Sequence, residues 1–462
     1  MRRRIRSNYE IDMCNGPLFS KVLQFSLPLM ATGILQLLYN AADIIVVGRF
    51  AGKTALAAVS STSSLINLIV NLFMGLSVGA SVVVAKRYGA GDYAGVNRVL
   101  HTAVTLSIIS GLLVSVVGIT LSRTLLEMMG SPVDVIDQAA LYLKIYFIGI
   151  PAAMIYNYCA ASLRAIGDTK RPLYYLSISG LVNVLLNLLL VICFDMGVAG
   201  VAIATAVSQV VSMVLIVICL IRTDGCIHLN LKKLHIDVQQ MKDILKIGLP
   251  AGLQSSVFSI SNVLIQSSIN SFGSAVMAAN GAAGNIEGFI YTAMNSISQA
   301  TLTFTGQNIG AKRYDRIGKI LGTCVLLVSI IGIVTGGIAY LFGPVLLKLY
   351  TTEQEVIDIG MVRLAFVGLP YFLCGLMEVA AGMLRGSGYS VTPMIVSMLG
   401  ACAFRVIWIF TIFAVFPTLN ILYVSYPISW LLTSLAHLTC FYFVWKKMMR
   451  SPEAQMNPTS QQ

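Results

Sequence analysis

Charge is scarce in this chain. Only 11% of its 462 residues are Asp, Glu, Lys or Arg, while 57% are hydrophobic; a soluble domain carries roughly 25% charged residues. Mean hydropathy is +0.82. A water-soluble fold could not hide that much apolar surface, so the bilayer is the expected solvent. Histidine is equally sparse: His101, His228, His235 and His437 make no metal-ligand spacing. The nine cysteines form no CxxC pair and mostly lie inside apolar segments, which reads them as packing residues and excludes a zinc site or disulfide framework. No HExxH and no paired His/Asp cluster appears, which argues against an integral membrane enzyme, and no extramembrane domain supports a receptor. The apolar runs lack the alternation of a membrane barrel and are too long for its strands. A net charge of +12 suggests nucleic acid in a soluble protein. Here the basic residues sit in short loops between apolar segments, so no nucleic-acid partner is expected and the charge is a topology signal.

What the chain does have is length of apolar sequence. Twelve segments approach or exceed the roughly 20 residues needed to span a bilayer: about 19–47, 54–85, 96–121, 133–162, 172–194, 197–221, 240–271, 274–305, 317–342, 355–383, 391–416 and 420–446. The first is too long for a signal peptide, so Arg2, Arg3, Arg4 and Arg6 read as the flank of a retained helix. The sequence also repeats. Leu27-Pro28 recurs as Leu249-Pro250, Gly89 to Tyr93 as Gly310 to Tyr314, Gly149-Ile150-Pro151 as Gly368-Leu369-Pro370, Leu163-Arg164 as Leu384-Arg385, and Pro172 as Pro393. The offsets are 222, 221, 219, 221 and 221, so the chain holds two copies of one unit. Six helices per copy is an even number. Both copies therefore enter the membrane from the same side, as parallel repeats about a pseudo-two-fold axis along the membrane normal. The expected fold is all-α integral membrane, with an N-terminal lobe 1–222, a connecting loop 223–239, a C-terminal lobe 240–450 and a disordered tail 451–462. With the N-terminus inside, 24 Lys and Arg fall on the inner side and six, Arg363 among them, on the outer. That bias places both termini in the cytoplasm.

Candidate chemistry lies where charge persists inside the spans. Gly48-Arg49-Phe50-Ala51-Gly52-Lys53-Thr54 resembles a phosphate loop. It has three residues between its glycines where four are needed, and it follows a membrane helix instead of a strand. With no other nucleotide motif, no cofactor is expected. Asp43, Glu287, Glu378 and Arg405 lie within apolar segments, where a charge at the bilayer centre costs about 2.5–3.5 kcal/mol on insertion scales. For Glu287 or Glu378 with Arg405, a fixed buried ion pair holding helices in register competes with a transport role. Asp43 has polar company in Asn183 and Asn187, four apart on one helix face, and in Thr205 with Gln209 four residues on. Paired amides can simply glue helices together. Together with a carboxylate they can also host a hard monovalent cation or a proton. Pro28, Pro151, Pro250 and Pro370 each remove one ladder hydrogen bond and invite a bend. Their occurrence in both copies favours a moving element over static curvature. Gly75-x-x-x-Gly79 and Gly332-x-x-x-Gly336 permit close helix contact.

Several of these pieces together resemble the multidrug and toxic compound extrusion (MATE) family of bacterial transporters, over about residues 19–447. They are Leu27-Pro28, Ala42-Asp43, Lys86 to Asp92, Leu163 to Pro172, Gly200 to Thr205, Gly306 to Ala311 and Leu384 to Gly388. The resemblance implies two six-helix lobes around a central cavity, with export of cationic amphipathic compounds in exchange for H+ or Na+ by alternating access, from the cell membrane. It ties Asp43, Asn183 and Thr205 to coupling. Asn187 stands where many relatives have aspartate, one negative charge fewer. The same resemblance makes Glu287 and Glu378 candidates in the second lobe. The expected working unit is a monomer. A lipid-linked oligosaccharide flippase of the same broad superfamily is the alternative. It would need several cationic residues in its cavity, and only Arg405 lies mid-membrane by this reading.

Overall fold

The computed structural model describes residues 9–129 and 133–450. The Arg2–Arg6 flank and the tail 451–462 lie outside them. Twelve long helices follow one another, and the described residues contain no strand. They are α1 Leu18–Ala51, α2 Lys53–Gly89, α3 Tyr93–Met128, α4 Val133–Ala165, α5 Lys170–Cys193, α6 Gly197–Arg222, α7 Val238–Asn270, α8 Ser274–Gly310, α9 Ile317–Leu341, α10 Gln354–Gly386, α11 Val391–Phe413 and α12 Leu419–Met449. One short helix, Gly343–Lys348, follows α9. Ten of the twelve are long and apolar enough to cross a membrane by length and composition. The exceptions, α7 and α8, are rich in Ser, Asn and Gln. In α8 many of the polar residues are core: Asn280, Ser296, Ser298, Thr301, Thr303, Thr305, Gln307 and Asn308 are all buried, while Asn285 is exposed.

The burial pattern is that of a protein dissolved in lipid. Along α3, Ser107, Ser110, Gly111, Ser115, Gly118 and Ser122 face inward, while Leu112, Leu113, Val116 and Leu121 face outward. Lipid is as apolar as leucine, so helices associate through small residues that let backbones approach and through hydroxyls that bond locally. The Ser107, Ser110 and Ser122 hydroxyls donate back to carbonyls one turn earlier. The helices run past the apolar segments read from sequence because polar turns cap them outside the hydrocarbon. Asp92 starts α3 by accepting from the Gly95 amide at 2.8 Å. Gly91 and Lys312, equivalent in the two copies, both adopt a left-handed backbone at these turns.

Two compact units emerge. Among the described residues, one takes in 9–11 and 31–252, the other 12–30 and 253–450. None of the three breaks falls in the 223–239 loop. Two fall inside a helix, two residues past Pro28 in α1 and past Pro250 in α7, and the third lies between Ile11 and Asp12, ahead of α1. The entry turns of α1 therefore belong to the second unit and those of α7 to the first. In the first unit the reason is glycine on glycine. A Cβ at Gly75 would lie 2.7 Å from the Gly248 carbonyl, and one at Gly79 would lie 2.8 Å from the Gly248 nitrogen. In the second unit the Ser26 hydroxyl donates to the Ser296 carbonyl at 3.4 Å, Phe25 meets Phe304 edge-on at 5.9 Å, and Asn308 Nδ2 donates to the Met13 carbonyl at 3.1 Å. Gly79→Leu is therefore expected to remove most folded protein. Overpacking typically costs 1–3 kcal/mol, and here the obstacle is backbone that cannot move aside. Size-exclusion profiles of the detergent-solubilised variant check this, and a wild-type profile would contradict the packing argument.

Within the first unit α4 is central and packs against α2, α3 and α6; in the second, α10 packs against α8, α9 and α12. The repeat is visible at atomic detail. Gly111 of α3 abuts Pro151 of α4, and Gly332 of α9, 221 residues later, abuts Phe372 of α10, 221 residues after Pro151. Pro28, Pro151 and Pro250 lie inside helices as expected. Pro370 instead sits in the tight turn Leu369–Tyr371, which follows the wide π turns Leu364–Gly368 of α10. The missing amide and a change of helical pitch coincide there.

The turn from α4 to α5 carries a buried charge pair. Asp168 is fully buried, contacts the Arg171 guanidinium and accepts from the Arg171 amide at 3.1 Å. Arg171 Nη1 reaches the Thr223 hydroxyl at 2.8 Å, joining this turn to the end of α6. Burial pushes the Asp168 carboxyl upward and the Arg171 charge opposes it. Asp168→Ala leaves a guanidinium without its partner. Breaking a buried pair costs roughly 3–5 kcal/mol, and Arg171 keeps some access to water, so a loss toward the low end is expected in thermal melts. The connecting loop is also fastened. Asn97 Nδ2 donates to the His228 carbonyl at 2.7 Å, His101 Nε2 accepts from the Asn230 amide at 3.1 Å, and the Asp237 amide donates to Thr102 at 3.1 Å. His101, which makes no metal-ligand spacing in the sequence, is a clasp on this loop.

Candidate functional site

In the first unit three helices bring four of the expected residues together. Asn187 lies on the last α-helical turn of α5, immediately before its π-helical end Leu188–Cys193. Its Nδ2 donates to Asp43 Oδ1 of α1 and lies 3.3 Å from Asn183 Oδ1. Asn183 Nδ2 reaches the Thr205 hydroxyl of α6 at 3.4 Å. That hydroxyl donates to the Val201 carbonyl at 3.0 Å, one turn earlier. Asp43, Asn187, Asn183 and Thr205 thus form one polar chain across α1, α5 and α6. The spacing of four between the two asparagines puts both amides on the same face. Asn187 is fully buried and Asn183 is 5% exposed, whereas Asp43 is half-buried. The carboxylate is the opening of the chain and the amides are its closed end.

Chemically the cluster is one anionic oxygen pair backed by amide and hydroxyl oxygens. Asn187 Oδ1 is buried and has no hydrogen-bond partner among the described residues. A buried carbonyl oxygen without a donor is costly to leave unmet. It is a free oxygen ligand on the same carboxamide whose nitrogen touches Asp43, which suits a hard monovalent cation or a protonated carboxyl. Gln209, one turn beyond Thr205, lies over Gly149 of α4, and its Oε1 also lacks a partner. Tyr39 of α1 crosses Gly180 of α5 so closely that no Cβ could fit there, and its hydroxyl donates to the Ser177 carbonyl at 3.3 Å. This contact holds α1 against α5 one turn from Asp43. A second stretch of π turns, Val47–Ala51, follows Asp43 in α1. Such wide turns recur at functional sites because they re-aim side chains at the expense of hydrogen-bond geometry.

The second unit corrects the sequence reading. Glu287 of α8 does not pair with Arg405. It is held by Arg363, whose Nε and Nη2 lie 2.8 and 2.7 Å from its two oxygens, a bidentate fork. The third guanidinium nitrogen contacts Asn280 Oδ1. Arg363 is 7% exposed, so it is no outer-flank charge. Counting Arg363 with the outer-side charges missed that α10 is already inside unit 2 there, with Tyr423 and Tyr426 of α12 stacked 5.5 and 5.7 Å from the guanidinium. A helical wheel of α10 carried the available signal, since Val356, Ile357, Gly360, Arg363, Leu364 and Val367 share its buried side. Glu378 is half-buried on α10 and pairs with neither arginine among the described residues; its carbonyl accepts from Ser298 at 2.9 Å. Arg405 of α11 donates through Nε to the Ser429 hydroxyl at 2.8 Å and stacks 4.2 Å over the Tyr426 ring.

Comparison with known proteins agrees with this architecture. The MatE family model matches residues 28–189 and again 250–411, which is the internal repeat seen as two matches. The chain is 28% identical over 432 residues to "Probable multidrug resistance protein YoeA" of Bacillus subtilis, covering 92% of this chain and 93% of that one. It is 23% identical over 395 residues to "Multidrug export protein MepA" of Staphylococcus aureus, covering 85% and 87%. Among solved structures, a MOP superfamily transporter from Pyrococcus furiosus superposes with a TM-score of 0.90 at 22% identity, covering 96% of this chain and all of that one. That likeness is of fold: twelve helices in two lobes. Two family matches spanning most of the sequence, relatives aligned almost end to end and a shared fold have one meaning: the chain belongs to the MatE family of multidrug efflux transporters.

Proposed function

We propose that the protein exports cationic amphipathic organic compounds across the cell membrane in exchange for H+ or Na+, by alternating access, with both termini in the cytoplasm. The observation that carries this reading is the contact of Asp43 with Asn187 beside an unpaired buried carbonyl oxygen. A small cation entering from outside binds the Asp43 carboxylate. Its arrival alters the charge that α1 carries beside the α5 amides and favours the state that releases drug outward. On return to the inside the cation leaves and the carboxylate is free for the next cycle. The Lys and Arg bias of the sequence, 24 on the inner side against five outside once the buried Arg363 is set apart, supports the orientation. One charge moving inward supplies about 2.3 kcal/mol per 100 mV, which is roughly a fifty-fold concentration ratio. The ion's own gradient adds to it.

The relatives' printed names support a multidrug cargo, and the carboxylates Asp43 and Glu378 suit its positive charge. The coupling ion is settled by everted vesicles given a fluorescent cation, rhodamine 123, in the medium that bathes their cytoplasmic face, so that export is read as dye entering the lumen. With the pH gradient collapsed by nigericin in K+ medium, export that resumes on adding a Na+ gradient identifies Na+. Export that stays dead identifies H+. Vesicles that never move the dye faster than vesicles lacking the protein overturn the reading.

A further inference from the structure

The connecting loop is held on the first unit by a histidine whose hydrogen positions the partners dictate. His101 of α3 is 3% exposed. Its Nδ1 lies 2.8 Å from the Asn97 carbonyl, which can only accept, so Nδ1 carries the hydrogen. Its Nε2 faces the Asn230 amide at 3.1 Å, which can only donate, so Nε2 is bare. Both ring nitrogens are engaged and the ring is neutral. A second proton would sit on Nε2, the atom the loop uses, and set N–H against N–H. The clasp and the charged ring exclude each other.

That bond lies at the middle of the loop's attachment. Before it, Asn97 Nδ2 donates to the His228 carbonyl, and the Leu229 amide donates to the Leu220 carbonyl at 3.0 Å, with Ile227 and Leu229 buried. After it, the Asp237 amide donates to Thr102. Asp237 is also the cap of α7, its Oδ1 accepting from the Gln239 and Gln240 amides at 3.0 and 3.2 Å. The clasp therefore fixes the start of α7 on the first unit, ahead of the point two residues past Pro250 where α7 passes to the second.

Charge around His101 is mostly basic. Its own helix brings Arg98, and the helices packed on α3 end in Lys86 and Arg87 of α2 and Arg164 of α4. Arg222 closes α6. The loop adds Lys232, Lys233 and the exposed His228 and His235, the last with its ring 6.5 Å from that of His101. Asp92 and Asp237 already face arginines, Arg87 at 3.1 Å and Arg98 at 3.9 Å. A charged His101 ring thus meets repulsion as well as a lost hydrogen bond.

We propose that His101 is a proton-operated latch: acid on the cytoplasmic side protonates it, releases the loop 226–237 from α3 and frees the start of α7. An imidazole in water takes up its proton between pH 5 and 8, so the latch holds at neutral pH and lets go as pH falls. The export reading enters only in naming the side that supplies the proton.

Hydrogen exchange read by mass spectrometry on the purified full chain, without substrate, tests it, with rates corrected for the intrinsic effect of pH. In wild type the peptide covering 226–237 is expected to lose protection at least ten-fold between pH 7.5 and 5.5. His101→Gln keeps an acceptor for the Asn230 amide and a donor for the Asn97 carbonyl but cannot titrate, so its loop should stay protected at both. His101→Lys should already be open at pH 7.5. Should that variant fail to accumulate, Asn230→Pro, which removes the amide hydrogen, should be equally open and indifferent to pH. Wild-type protection that does not change with pH overturns the proposal, and so does a loss that persists in His101→Gln. A loss that vanishes in His228→Gln or His235→Gln with His101 intact makes an exposed ring the sensor and overturns it too. No dye or ion enters the measurement, so failure of the export reading leaves this test standing.

Discussion

Asp43→Asn is expected to abolish ion-coupled export while leaving the protein folded. The substitution removes one charge and preserves shape. The Asn187 amide can still donate to the remaining carbonyl oxygen, so the chain of amides from α5 to α6 survives. What is lost is the anionic oxygen that takes up and gives back a cation. In everted vesicles, ion counterflow driven by an imposed drug gradient should drop at least ten-fold, to the level of vesicles without the protein. Dye exchange at equal concentrations on both sides, which needs no ion, should persist. If counterflow survives undiminished in a variant that is properly folded, the role given to Asp43 is wrong. Thr205→Ala is a graded companion. It removes the acceptor for Asn183 Nδ2 at 3.4 Å and should weaken coupling less, because no charge is lost.

Arg363→Leu is expected to be the most destabilising single change in the second unit. It strips Glu287 of both its nitrogens and leaves a carboxylate 5% exposed with no compensating charge. Removing one partner of a buried pair costs about 3–5 kcal/mol. Glu287→Gln should cost less, since a neutral amide still accepts from Arg363, and the guanidinium keeps Asn280 and the two tyrosine faces. The combination Glu287→Gln with Arg363→Leu should be more stable than Arg363→Leu alone, because the stranded charge is gone. Thermal melts of the four proteins in one detergent give the coupling. A double variant as unstable as the sum of the singles would show that Glu287 and Arg363 do not act as a pair.

The two sites were unequally legible before the fold was known, and the reason is distance along the chain. Asn183 with Asn187 and Thr205 with Gln209 follow the period of a helix. A polar face on α5 and on α6 could be written down from spacing, and one lone acid in the first span pointed at them. The Glu287 partner could not be found this way. Arg363 lies 76 residues from it, and its place near the start of the span counts it with the outer-side charges while Arg405 lies mid-span. Only the packing of α10 on α8 shows that Arg363 is the arginine that reaches Glu287. The entry turns of α1 and α7 were likewise invisible. A linear division at residues 222 and 240 assigns each helix whole, while glycine contacts at Gly75, Gly79 and Gly248 and the seat of Phe25 on Phe304 assign half of each elsewhere.

By itself the sequence determined the solvent, the helical class, the number of spans, their duplication and the acid that opens the first site. Those properties are sums over many residues, such as apolar length, charge bias and a repeat of 221, and local rules read them directly. The tertiary structure alone decided which arginine neutralises Glu287, that no carboxylate among the described residues pairs with Arg405, and where the compact units divide. Each is a choice between contacts of similar local appearance. In a lipid-embedded fold, the close approach of small residues on distant helices settles such choices.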